Sequence, residues 1–128
     1  MTEARRSEAG LTSTEVAVLM PVVIALVLMP FQIGLWWHAQ QVAAAAAREA
    51  VDAAQVDGAT EADGAAAAHR FLDAAGNLSE PTVTVTRATD TVTVEVTGRA
   101  PRLLPGFDWR VTAHAEAPVE RFIPEPDR

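Results

Sequence analysis

The chain has no cysteine. Disulfides, thiolate metal sites and cysteine nucleophiles are therefore excluded. Lysine and tyrosine are also missing, so every side-chain cation other than histidine is an arginine. Together with the alanine excess, this reads as a coding bias and not as chemistry. Aromatic residues are scarce, four Phe and three Trp. A chain of 128 residues that sets aside a long apolar segment has little left for a large core. A basic face is missing as well: the formal charge is −7, which speaks against nucleic acid as a partner.

What the chain does contain is one long uncharged run. Val16 to Trp37 reads VAVLMPVVIALVLMPFQIGLWW, with Gln32 as its single polar side chain. A helix over these residues would be roughly 33 Å long, about the thickness of a bilayer core. Trp36 and Trp37 at its end suit an interfacial aromatic belt. Pro21 and Pro30 would break a soluble helix, but membrane helices tolerate proline. The run therefore predicts a single transmembrane helix, spanning about residues 16–37. Arg5 and Arg6 precede it, and Arg48 is the one cation soon after it. That asymmetry predicts a cytoplasmic N-terminus and an extracytoplasmic remainder. A secretory signal is the competing reading. Its apolar region is usually about 7–15 residues, shorter than this one; the small residues Ala43–Ala47 would be its cut site.

Glu15 stands at the edge of this run and Gly10 five residues before it. A carboxylate entering a membrane is costly unless it is paired. One explanation is local: Thr12-Ser13-Thr14-Glu15 has the S/T-x-x-E form of a capping box, with Thr12 as N-cap and Glu15 favoured by the helix dipole. The other uses the glycine. A short polar leader, a Gly, an apolar residue, a Glu five positions after the Gly and a long apolar helix resemble the type III signal of type IV pilin-like proteins.

STEVAVLMPVVIALVLMPFQIG followed by AQQVAAAAAREAVDAA narrows that resemblance. These segments are similar to the TadE-like family, minor pilins or pseudopilins of the tight-adherence (Tad/Flp) pilus. Gly10, Glu15, Ala17, Pro21 and Ala46-Ala47-Arg48-Glu49-Ala50 fill the family's pattern, over roughly residues 8–57. The resemblance implies cleavage between Gly10 and Leu11 by a prepilin peptidase on the cytoplasmic side. It also implies that Glu15 and Pro21 serve helix packing and register. The new amine on Leu11 would then lie four residues from Glu15, close enough to pair within one helix or between subunits. The implied partners are other pilin subunits, the Tad assembly machinery, the peptidase and the membrane. Val16 replaces the Tyr that follows this Glu in the major pilins of the system, which fits a minor subunit.

Beyond the run, His38 to Val56 lacks Gly and Pro and is rich in alanine, so the helix is predicted to continue to about Asp57, where Gly58 ends it. Thr60 to Asp63 caps a second helix over about 60–75, with Ala68, Phe71, Leu72 and Ala75 facing inward and Gly76-Asn77 as its stop. After Pro81 the period becomes two. Val83 and Val85, then Val92, Val94 and Val96, then Val111, Ala113, Ala115 and Ala117 give three strands, the first two joined as a hairpin through Ala88-Thr89-Asp90. The fold class is α+β: a long N-terminal helix, a short helix and a small three-stranded antiparallel sheet. The expected organisation is a leader over 1–10, a long helix over 11–57 and a head over 58–128, with a frayed tail IPEPDR.

No set of residues converges on catalysis. His38, His69 and His114 have no ligand partner at i+3 or i+4, and no H-E-x-x-H, Gly-rich phosphate loop or G-x-S-x-G is present. Asp57, Glu61 and Asp63 offer too few oxygens for a calcium loop. No cofactor and no enzyme activity are expected. Asn77-Leu78-Ser79 is an N-glycosylation triplet, silent in a prokaryote. RLLPGFDW, Arg102 to Trp109, is the most apolar stretch outside the run; it either packs on the helix or forms a contact patch. The alternative to a pilin subunit is an uncleaved single-pass protein whose head is a binding or scaffold module.

Overall fold

The computed structural model describes the backbone of residues 2–121 and the side chains of residues 13–121. The proposed cleavage pair, Gly10 and Leu11, lies outside the described side chains, and the tail IPEPDR lies outside the described residues. Helix α1 spans Thr2–Gln55 and α2 spans Glu61–Ala75. Strands β1 (Ser79–Arg87), β2 (Thr91–Arg99) and β3 (Arg110–Pro118) follow. The sheet is antiparallel in the order β1-β2-β3. The α+β architecture expected from the change of period is the one observed.

Helix α1 runs unbroken through Thr12 to Glu15 and through both prolines. Thr12, expected at an N-cap, stands inside the helix, which begins at Thr2; its side chain lies outside those described. At the other end α1 stops at Gln55, two residues short of the expected Asp57. The chain turns there with Gly58 in the left-handed region at φ 79°. Three bonds from the head reach the carbonyls of this end and of the turn after it. Glu120 N–H donates to Gln55 O at 3.0 Å. The Arg87 guanidinium donates to Val56 O at 3.2 Å and to Ala59 O.

Helix α2 is closed at both ends as its sequence dictates. Thr60 and Asp63 form a reciprocal capping box, and Gly76, at φ 66°, donates its N–H to Leu72 O at 2.9 Å. The hairpin turn is tied by Ala88 N–H to Thr91 O at 2.8 Å. Strand alternation then separates two faces. Val92, Val94, Val96, Val111 and Ala113 are buried; Thr82, Thr84, Thr86, Thr93, Glu95 and His114 face outward.

Both helices cover the inward face of the sheet. Helix α1 lies against β2 and β3, and α2 lies against β1. The second half of α1 presents Ala39, Ala43, Ala46, Ala50 and Ala54, all fully buried, at helical spacing. These short side chains let the sheet and α2 approach the helix closely. The bulk of the core comes from the other side, from the three β2 valines and Val111, each contributing about 1.5–3 kcal/mol by burial. Ala115 and Ala117, expected inward, are half-buried because they lie toward the end of the sheet.

Candidate membrane anchor and its junction with the head

Among the described residues, the first half of α1 is open to its surroundings. From Val16 to Met29 its large apolar side chains, apart from the half-buried Leu28, are open along the helix; Val18 and Leu26 are about two-thirds exposed. No charge interrupts this surface. By length and composition the helix fits a membrane anchor. Pro21 and Pro30 donate no backbone bond, so the carbonyls of residues 17 and 26 have no intrahelical donor. Neighbouring helices or local adjustment can satisfy such groups in a bilayer. Glu15 is exposed on the turn before the apolar surface, and among the described residues it has no ion-pair partner.

The junction with the head is built from three side chains spaced four apart on one helical stripe. Gln32 donates its amide N–H to Pro101 O at 3.0 Å. Trp36 donates its indole N–H to Arg110 O at 3.1 Å. Gln40 donates its amide N–H to Thr112 O at 2.7 Å. Strand β3 is an edge strand, and Arg110 and Thr112 turn their carbonyls away from β2. Helix α1 thus covers an edge that would otherwise template pairing with another chain.

Gln32 is the most committed of the three. It is fully buried although it lies within the apolar run. Its carbonyl oxygen accepts from Leu103 N–H at 2.7 Å and from Leu104 N–H at 3.3 Å. One side-chain amide thereby holds the loop between β2 and β3 on the helix. That role was not read from the sequence, where Gln32 stood out only as the one polar residue of the run. Of the two tryptophans at the end of the run, Trp36 is half-buried and serves the edge of β3, while Trp37 is exposed.

The loop itself does both things that its sequence allowed. Leu104 is half-buried and the backbone is bonded to Gln32, yet Leu103 and Phe107 are exposed. The histidines lie apart. His38 contacts the Asn77 amide nitrogen at 2.8 Å, His69 is exposed on α2, and His114 lies 3.4 Å from Glu95 across strands. The acids near the helix break are separately engaged: Glu61 accepts from Arg87 N–H at 2.8 Å, and Asp63 caps α2. The hydroxyl and N–H of Thr60 hold the Asp63 carboxyl below its ordinary pKa. Among the described residues, no group of three or more His, Asp or Glu side chains is placed to hold a metal ion.

One comparison with known families falls on the apolar helix and its alanine-rich extension. Residues 10–52 match the TadE-like protein family. The match begins at Gly10, ends three residues before the end of α1 and covers about a third of the chain. The TadE-like segment contains Glu15, Pro21, Gln32 and Trp36. Its α2 and sheet partners lie outside it. Neither the curated proteins nor the solved structures contain a match to this chain.

Proposed function

We propose that this protein is a minor pilin or assembly subunit of a Tad-type pilus. The first half of α1 is its anchor in the cytoplasmic membrane, with the N-terminus cytoplasmic and the head outside. A prepilin peptidase cuts it between Gly10 and Leu11. One observation carries this reading. The apolar surface that α1 leaves bare lies inside the TadE-like segment, with a lone carboxylate, Glu15, at its entry. Side-by-side packing of such helices buries their apolar surfaces against one another. It also places each Glu15 where only a cation can offset the loss of water. The amine that cleavage would create on Leu11 is such a cation, so the pair would select one subunit register. Pro21 leaves a carbonyl that a neighbouring helix can satisfy, which would add to the same register.

The test is the N-terminus of the membrane-fraction protein made with its native pilus machinery. A chain starting at Leu11, with processing abolished by Gly10→Ala, is the expected result. A chain that keeps Met1 or Thr2 would sink the peptidase reading and leave an anchored scaffold module. In the processed protein, Glu15→Ala should leave insertion intact and reduce assembled pili; normal pili from that variant would remove the register role.

A further inference from the structure

The loop between β2 and β3 reaches down the anchor. Its neck is closed by Ala100 N–H to Trp109 O at 2.9 Å. From there it extends along α1 to the level of Gln32. Gln32 lies five residues before Trp37, so the loop tip is about 7–8 Å further into the apolar run than that ring. Amphipathic surfaces that bind bilayers sit about 5–10 Å into the boundary between headgroups and acyl chains.

Two features of the loop match that depth. Leu103 joins Pro30, Phe31, Gly34 and Leu35 in one apolar groove. Leu103 is 47% exposed, so the apolar surface of the loop tip continues the surface of the anchor; Phe107, 61% exposed, packs nearer the neck with its ring centroid 6.1 Å from that of Trp109. Irregular backbone at membrane depth must also have its polar groups satisfied by protein. Gln32 does this for Leu103 N–H, Leu104 N–H and Pro101 O at the tip. Arg102 is exposed beside the tip. Its aliphatic stem can lie on the apolar surface while its guanidinium reaches lipid phosphates.

We propose that the β2–β3 loop is a second membrane contact, with Leu103 and Phe107 inserted among the phospholipids on the head side of the bilayer. This rests on α1 spanning the membrane. The occupant is lipid because the loop surface is continuous with the anchor at a depth that lipid fills in the unassembled subunit. Seated this way, the head lies against the bilayer and is not lifted clear of it.

The absence of cysteine makes the test direct. Single variants Leu103→Cys and Phe107→Cys of the full chain are labelled with an environment-sensitive fluorophore. They are reconstituted at high lipid excess in phosphatidylcholine–phosphatidylglycerol vesicles. Val27→Cys marks the membrane interior and Thr84→Cys the outer face of the sheet. The expected result is quenching at 103 and 107 by lipids brominated near the headgroup end of the chains, with iodide quenching severalfold weaker than at 84. If 103 and 107 quench with iodide as 84 does, while 27 responds to brominated lipid, the loop proposal falls and the span stands. If 27 also responds to iodide, both fall. If 103 and 107 are shielded from both quenchers until the protein is diluted with more lipid, a second copy covers the loop and the proposal is overturned.

Discussion

Gly64 of α2 lies directly against Ala50 of α1. A Cβ on Gly64 would stand 2.8 Å from the Ala50 carbonyl oxygen and 2.9 Å from the Ala54 methyl. Glycine inside a helix ordinarily costs about 0.5–1 kcal/mol relative to alanine. Here the sign reverses, because the obstacle is backbone and cannot rotate away. Gly64→Ala is expected to destabilise the head by about 1–3 kcal/mol through overpacking. Thermal unfolding in detergent micelles, followed by circular dichroism, measures it. An unchanged or raised melting temperature would show that α2 shifts freely on α1.

Gln32→Leu removes three hydrogen bonds from the tip of the β2–β3 loop without adding charge or much volume. The backbone groups it leaves must find water, at a cost of about 1–3 kcal/mol, or the loop must lift from the helix. The expected outcome is faster amide exchange at Leu103 and Leu104, with exchange in β2 little changed. Equal protection in both proteins would mean that the loop is held by its side chains and not by Gln32.

Arg87 joins the end of α1 to the sheet. Its guanidinium bonds Ala59 O and Val56 O, while its own N–H bonds Glu61. A lysine ammonium has no planar fork and cannot reproduce both carbonyl contacts. Arg87→Lys should therefore cost about 1 kcal/mol and Arg87→Ala more, since the carbonyls then lose every side-chain donor. Chemical denaturation of the two variants in parallel decides it; equal midpoints would show that the arginine fork adds nothing.

The Thr60–Asp63 box sets a pH dependence. Thr60 holds the folded-state pKa of Asp63 below its ordinary value of 3.8. A depressed carboxyl contributes stability that is present above its unfolded pKa and is lost as pH falls through the folded value. The stability difference between the native chain and Asp63→Asn should thus be constant near neutral pH and shrink below pH 3.8. A difference that persists unchanged into stronger acid would assign the cap to the Thr60 hydroxyl alone.

Much of this arrangement is legible in the sequence because it depends on local periodicity. The alternation of Val83–Val85 and Val92–Val96, the Thr60–Asp63 spacing and Gly76 each specify their element without reference to distant residues. The end of α1 was read two residues long because Glu120 and Arg87, far along the chain, supply the bonds that stop it. Thr12 is the opposite case: a valid local motif lies inside a helix that starts earlier. The candidate site divides in the same way. Glu15 and Pro21 are visible as exceptions within an apolar run. The Gln32, Trp36 and Gln40 stripe is not, because its meaning depends on which strand of the sheet forms the uncovered edge.

The stripe has a mechanical consequence. Helix α1 is continuous from the apolar half to Gln55, and three side chains along two of its turns grip β3 and the tip of its loop. The helix is a stem and not a tether. Rotating it about its axis turns the head with it, because the helix is continuous and the head is gripped at three points. Whatever fixes the azimuth of the apolar half among its neighbours also decides which way the threonine-rich outer face of the sheet points.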